Sequence, residues 1–368
     1  MRASARINLA AIERNTRTLA GACPRLCAVL KADGYGHGAV RCAGAVLAGG
    51  ASIIAVATPE EAAELRAGGV TAPLIVLGAL TRAELARALA SGAEVVAWTD
   101  ELLHWVLAEG GGRVHVKLDT GMGRLGTRDG ALADHLVARV LASEALELAG
   151  VMTHFATADE PDRTFLDAQS RRFAVWLEAL RERHGPIPAH AENSAALLSA
   201  GSARFDMARC GIALYGLDPF GEDARARGLE PALELHSWVA ALKPRLAGES
   251  AGYGRRFIAT QPTTLGLVPL GYADGVRRVL SPGGEVLVGG RRRALAGTIS
   301  MDSLAIDLGA DGEVEIGADV MLIGGQGPER ISAEEVARWA GTINYEITSG
   351  LSARVPREFH RDGEPAGE

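Results

Sequence analysis

The stretch Ala28-Val29-Leu30-Lys31-Ala32-Asp33-Gly34-Tyr35-Gly36-His37-Gly38 holds the residue types best able to do chemistry, because an apolar run ends there on a lysine and passes into a glycine-rich turn. A lysine at a strand end is ordinarily solvated, its stem on the surface and its ammonium in water. Here three glycines let the backbone approach a ligand closely and Tyr35 offers a phenol donor. A desolvated lysine amine is also the side chain that forms Schiff bases with carbonyl compounds, and pyridoxal phosphate is the commonest biological partner for it.

Further stretches carry polar groups at the ends of apolar runs. Lys117-Leu118-Asp119-Thr120-Gly121-Met122-Gly123-Arg124 presents an arginine from a second glycine-rich turn, and its planar fork matches a carboxylate two oxygens at a time. The bland alternative is a solvated loop charge. Thr153-His154 closes another run; a lone histidine there is more often a core residue with a satisfied partner, although its place at a strand end weakens that reading. Ser194, after His190-Ala191-Glu192-Asn193, stands at a helix start, either as a simple cap or as part of a phosphate cradle. Arg209-Cys210-Gly211-Ile212 sets an arginine beside a glycine whose amide can approach an anion. Later turns bear Tyr253, Tyr272 and Tyr345 next to or near glycines, with Ser300-Met301-Asp302 between them. Such tyrosines are commonly ordinary turn residues.

Short apolar runs alternating with helical segments must position these groups. Eight candidate strands, Arg25–Leu30, Ser52–Ala57, Leu74–Leu77, Glu94–Trp98, Val114–Leu118, Leu148–Thr153, Ile187–His190 and Arg204–Leu214, are separated by helix starts such as the capping boxes Thr58/Glu61 and Thr81/Glu84. This grammar predicts an α/β fold, an N-terminal (β/α)8 barrel with its catalytic groups at the C-terminal strand ends. A doubly wound open sheet is the alternative. After Pro231 the pattern turns to short Val- and Leu-bearing runs broken by Gly and Pro, at Ser237–Leu242, Thr264–Leu270, Glu285–Val288, Arg293–Ala296, Leu304–Leu308 and Val320–Ile323, with one helix over Ser332–Ala340 opened by a Ser332/Glu335 box. The expectation is two domains, a barrel over residues 1–232 and a mainly β domain over 233–368, with residues 362–368 loose.

At 368 residues with 48% hydrophobic and 23% charged side chains the chain can bury a large core, and a net charge of −7 argues against a nucleic-acid surface. Arg291-Arg292-Arg293 is too short a run to change that and reads as a solvated strand end or an intersubunit contact. Cys23, Cys27, Cys42 and Cys210 form no CxxC pair and no zinc spacing, so no metal is expected and the thiols read as apolar fillers in a reducing compartment. The first twenty or so residues lack an unbroken apolar core. A cytoplasmic protein with no membrane partner is expected.

Taken in order, AVLKADGYGHG, VKLDTGMGRLG, THFATAD, AENSAA, ARCGIALYG, GYG, GYADG, SMD and INYE resemble the alanine racemases, from the first barrel strand to about Phe359. The resemblance implies a pyridoxal-phosphate enzyme of the barrel type, a homodimer whose active sites are shared between one barrel and the partner's β domain, into which the first residues of the chain tuck. It implies that Lys31 holds the cofactor and serves as one of two bases, the partner subunit's Tyr253 being the other. Tyr35, Ser194, Gly211, Ile212 and Tyr345 would hold the phosphate, and Leu77 and Asn193 would also line the cofactor. Arg209 would face the pyridine nitrogen, with His154 packed near the ring and supporting Tyr253. Arg124 and the amide of the partner subunit's Met301 would meet the substrate carboxylate, with Asp302 beside the entrance and Tyr272 lining it. Lys117 matches a lysine carbamylated in some members. The implied reaction interconverts L- and D-alanine, providing D-alanine for peptidoglycan.

Rival readings share part of this set. Another pyridoxal-phosphate barrel enzyme, a decarboxylase or D-amino-acid aldolase, would keep the lysine and phosphate loops without Tyr253 and Met301-Asp302. A broad-specificity or serine-directed racemase would differ in a few pocket side chains. A non-enzymatic pyridoxal-phosphate carrier would be a lone barrel, against which the long segment after Pro231 speaks.

Overall fold

The first strand, β1 (Ser4–Asn8), alternates buried Ala5 and Ile7 with half-buried neighbours, and its partners lie far along the chain. It pairs antiparallel with Leu233–Trp238 and parallel with Arg357–Arg361. The computed structural model describes residues 1–310 and 313–367. Contacts divide it into two compact units, one of Ile12–Leu214 and one joining Met1–Ala11 to the chain from Tyr215 onward.

In the first unit eight strands follow one another: β2 (Leu26–Val29), β3 (Ile53–Val56), β4 (Leu74–Val76), β5 (Ala93–Ala97), β6 (Gly112–Lys117), β7 (Leu146–Met152), β8 (Ala189–His190) and β9 (Ala208–Cys210). Each of β2 to β7 pairs in parallel with the next strand, β9 pairs with β2, and a single parallel bridge from His190 to Met207 spans the remaining gap. This is the (β/α)8 barrel and excludes the open doubly wound sheet. Strands buried on both faces must be apolar throughout, as in Leu26–Val29 and Ile53–Val56. Side chains two apart share a face, so Cys27 and Val29 pack inside with Ile53, Ile75, Val96 and Met152. Helix entrances are set by the residues anticipated, the Thr58 and Thr81 capping boxes both being complete.

The second unit is mainly β. A sheet built on β1 continues through Leu233–Trp238 to Asp319–Gln326, Glu285–Val288 and Arg291–Ala294, and a second sheet joins Ala241–Arg245, Thr263–Val268 and Leu304–Asp307.

Several expectations are corrected. The run 237–242 spans a break between two strands, because Val239 donates to Ala318 O and Ala240 to Leu267 O, so the chain changes sheets there. The run 204–214 is strand only at Ala208–Cys210 and then tightens into a 3-10 turn at Ile212–Tyr215. Ser332 caps its helix, but the Glu335 carboxylate is taken by Arg292, which also binds Glu285 and Glu329. The middle arginine of the 291–293 run is therefore ion-paired within the fold. A second helix, Asn344–Ser349, was not anticipated. Nor are residues 362–367 loose. Asp362 and Gly363, both at positive φ, turn the chain so that Glu364–Pro365 pairs with Arg357–Arg361, and Asn8 Nδ2 donates to Asp362 Oδ1 at 3.0 Å. Residue 368 of that expectation lies outside the described residues.

Candidate active site

Lys31 follows β2 at the C-terminal end of the barrel, where the chain turns in the left-handed sense: Ala32, Asp33, Gly34 and Tyr35 all have φ between 51° and 62°. L-residues pay for that conformation, so it persists only where neighbours hold it. Glu61 is one such neighbour. Its Oε1 accepts from Ala32 N at 2.7 Å while Oε2 accepts from Ala57 N at 2.7 Å and Thr58 N at 3.1 Å. Asp33 Oδ1 is another, accepting from Ala39 N at 2.8 Å. The turn holds Lys31 half-buried, and no hydrogen bond or ion pair engages its Nζ among the described residues. Burial first, and then the Arg124 charge, draw its pKa below the ordinary lysine value.

Lys117, two residues beyond His115 on the same face of β6, is buried. Burial chiefly, then Arg209 and Arg124, bring its pKa down to about 7. The turn beyond it is closed by Asp119 N to Thr127 O and Thr127 N to Lys117 O, and the Asp119 carboxylate accepts from Gly121 N and Gly123 N, leaving Arg124 exposed. Arg209 is buried and donates to Thr153 O, Ala191 O, His190 Nδ1 and His154 Nδ1 at 2.7 to 3.1 Å. A guanidinium cannot accept, so His154 is the Nε2–H tautomer. Burial, followed by the Arg209 charge, holds His154 well below its usual pKa, so it is neutral. Gln169 fixes the same segment, accepting from Ala156 N and donating to His154 O and Thr120 Oγ1.

On the other side of the mouth the Gly211 amide donates to Ser194 Oγ at 3.1 Å, and a Cβ at Gly211 would lie 2.2 Å from Tyr35 Oη. Asn193 caps the short helix that begins at Ser194, its Oδ1 accepting from Ala196 N. Leu77 and Tyr35 pack against the apolar interior. The barrel therefore brings Lys31, Tyr35, Leu77, Lys117, Arg124, His154, Asn193, Ser194, Arg209, Gly211 and Ile212 to its C-terminal end. The basic groups among them fit a doubly anionic ligand.

Tyr253, Tyr272, Met301, Asp302 and Tyr345 belong to the other unit. Tyr253 stands on a one-turn 3-10 segment, Thr298 Oγ1 donating to its carbonyl, and is 71% exposed. Tyr272 N and Ala273 N donate to Ser300 O and Met301 O, and a Cβ at Gly271 would meet those carbonyl oxygens at 2.4 Å, so glycine is required for this close approach. Asp302 pairs with Arg354 at 2.7 Å, and Arg2 and Arg354 both reach buried Asp274. Tyr345 lies on the unanticipated helix Asn344–Ser349, which Asn344 Nδ2 anchors to Asp218 O at 2.8 Å.

Sequence reasoning missed the positioning residues. Glu61 reads only as a helix cap and His190 as a strand residue, and nothing in the sequence singles out Gln169.

Fold and site together define a two-part (β/α)8-barrel enzyme with a desolvated lysine at its mouth. The chain belongs to the alanine racemase family, a family of isomerases: residues 7–219 match the family model described as "Alanine racemase, N-terminal domain" and residues 232–359 the one described as "Alanine racemase, C-terminal domain". It is 38% identical over 372 residues to "Alanine racemase 2" of Bacillus subtilis, covering 97% of this chain and 94% of that one. Similarity to the alanine racemase of Symbiobacterium thermophilum is 40% identity over 364 residues, 96% of each. Among solved structures, the Bacillus anthracis alanine racemase with bound L-Ala-P matches with a TM-score of 0.90 at 36% identity, covering 99% of this chain and 96% of that one.

Proposed function

We propose that this protein interconverts L- and D-alanine with pyridoxal phosphate as cofactor, using Lys31 and the partner subunit's Tyr253 as bases on opposite faces of the substrate. The observation that carries the reading is the Lys31 amine at the barrel mouth, its pKa lowered by burial and by Arg124, with no hydrogen bond or ion pair at its Nζ among the described residues. The surrounding residues fit the cofactor. The Tyr35 phenol, seated directly against Gly211 where no side chain would fit, lies beside Ser194 and Ile212 in a set of donors that suits a phosphate, Tyr345 being added on the resemblance alone. Arg209 is fixed as a donor toward a ring nitrogen, and Leu77, Asn193 and His154 complete the lining.

When bound, pyridoxal phosphate supplies an electron sink for the negative charge left at the substrate Cα. Racemisation then needs a proton removed on one face and another returned on the opposite face. Lys31, its pKa lowered chiefly by burial, exchanges a proton on one side. Tyr253 exchanges one on the other, and neutral His154 provides an Nε2–H donor to support the phenol. Arg124 and the amide of the partner subunit's Met301 receive the substrate carboxylate, with the partner's Asp302 and the partner's Tyr272 at the entrance. A Lys117 amine with pKa about 7 is nucleophilic enough to add carbon dioxide, losing a proton, and the carbamate would place negative charge near Arg124 and Arg209.

The exposed Tyr253, Tyr272 and Met301, at 71%, 42% and 52%, support a homodimer in which each active site is completed by its partner. We assign the barrel domain to 1–232 and the β domain to 233–368, with residues 1–11 and 215–232 packing as part of the β unit. No helix among the described residues is long and apolar enough to cross a membrane, in keeping with a cytoplasmic role in supplying D-alanine to peptidoglycan.

The experiment incubates the purified protein with L-alanine, and separately L-serine, in D2O and follows Cα deuteration and enantiomer ratio. Rapid racemisation of alanine with deuterium incorporation is expected, together with covalent fixing of the cofactor to Lys31 by borohydride. Exchange without racemisation would overturn the two-base assignment, and equal rates on serine would make the enzyme a broad-specificity racemase.

A further inference from the structure

Arg209 heads a line of buried polar side chains that crosses the barrel interior. His190 Nδ1 accepts from Arg209 Nη1 at 2.7 Å, His190 Nε2 and His115 Nδ1 are 2.9 Å apart, and His115 Nε2 lies 2.7 Å from Glu94 Oε2. All four residues are 5% exposed or less. At the far end Arg113, partly exposed, binds Glu94 Oε1 at 2.8 Å and also pairs with Glu147.

Only one arrangement of protons satisfies this line. The guanidinium has no acceptor, so His190 must accept at Nδ1 and carry its proton on Nε2. That N–H must donate to His115 Nδ1, which places the His115 proton on Nε2, facing the carboxylate. Each ring is then neutral and each bond points from Arg209 toward Glu94. An imidazolium at either position would set two N–H groups against each other across the 2.9 Å contact, or an N–H against the guanidinium.

The line matters because a buried cation needs compensation, and among the described residues no carboxylate forms an ion pair with Arg209, the Glu192 charge acting on it only through space. Glu192, also buried, uses its backbone oxygen for Arg209 N and its Oε1 for Arg204 N. Glu94 is in turn held below its usual pKa by its bonds to His115 and Arg113, against the opposing effect of burial.

We propose that Glu94 and His115 are positioning residues, Glu94 forming through two aligned imidazoles the hydrogen-bonded anionic end that, beside the charge of Glu192, fixes the Arg209 guanidinium at the barrel mouth. Its consequence for catalysis rests on the racemase reading above; the arrangement itself does not.

The test has two arms. In 15N-histidine-labelled protein, long-range 1H–15N spectra between pH 6 and 8 are expected to show His115 and His190 as neutral Nε2–H tautomers. An Nδ1–H tautomer or an imidazolium at either would overturn the proposal. In the second arm Glu94→Gln keeps an oxygen for His115 but removes the charge, and Glu94→Asp keeps the charge. Glu94→Gln is expected to lower kcat for alanine at least tenfold with KM within twofold and an unchanged circular dichroism spectrum, and Glu94→Asp to recover most of that loss. A Glu94→Gln enzyme as fast as the parent would overturn the positioning role of the Glu94 charge. Were the parent itself inactive on alanine, the functional reading would fall while the tautomers would still decide the relay.

Discussion

The phenol of Tyr35 occupies the space that any side chain on residue 211 would need: a Cβ on Gly211 would lie 2.2 Å from Tyr35 Oη and 2.6 Å from Cζ. The two residues thus form one wall of the cradle, on the side where the Gly211 amide meets Ser194 Oγ. Gly211→Ala must push the ring away, and overpacking of this kind costs about 1–3 kcal/mol. We expect a matching loss in urea denaturation of the cofactor-free protein and at least tenfold weaker binding of pyridoxal phosphate in an absorbance titration. Undiminished affinity would remove Tyr35 from the phosphate site.

Lys117 should make the stability of the protein depend on pH. Its folded pKa is about 7, against the ordinary lysine value of 10.5 in the unfolded chain. Between those values the unfolded chain binds more protons, so stability rises with pH across that window and the penalty is fully present below it. Lys117→Met removes the penalty. In buffer stripped of carbon dioxide the variant should be more stable than the parent below pH 7, by an amount on the order of a few kcal/mol, and the gap should close as pH approaches 10. Parallel curves for the two proteins would count against a desolvated amine.

Glu61 couples a helix cap to the lysine turn, one carboxylate serving Ala32 N on one side and Ala57 N and Thr58 N on the other. Glu61→Gln sets an amide NH2 against backbone N–H groups and loosens one of the contacts that hold Ala32 and Asp33 at positive φ. A shift of about 1 Å in a reacting group can cost on the order of a hundredfold in rate. The expected result is a 10- to 100-fold lower kcat, on the order of that effect, with less than about 2 kcal/mol lost in stability, the scale of one cap. Full activity would show that the turn holds itself.

What could be read from the sequence follows from how local each signal is. Lys31 stood out because its strand, its glycines and its tyrosine are contiguous, and the barrel was legible because most of its strands are short apolar runs and several are followed by a capped helix start. The Glu94, His115 and His190 line was not, since each sits at an inward position of a different strand and only strand pairing brings them together. Asn344–Ser349 is six residues long, too short for a helical period to register. The Asp362-Gly363 turn carried a hairpin dipeptide, yet the strand it returns to, Arg357–Arg361, is charged and pairs with the first strand of the chain, which no local pattern shows.

Tyr253 offers the most direct test of how the reaction is divided. Its side chain is 71% exposed in the single chain, and in the proposed reading a second copy covers it. Tyr253→Phe keeps the ring and removes the proton, which for a general acid–base group typically costs 10² to 10⁴ in rate, an order-of-magnitude expectation. If Lys31 serves the other face, the loss must be asymmetric. Followed in D2O from L-alanine and, separately, from D-alanine, the variant should exchange the Cα proton of one enantiomer at close to the parent rate and that of the other at least a hundredfold more slowly, with racemisation limited by the slower step. Parent specific activity should fall on dilution below the dimer dissociation constant, while the variant's remaining exchange follows the same curve. Equal losses from both enantiomers would make Tyr253 a structural residue, and no loss from either would return the second proton transfer to another group.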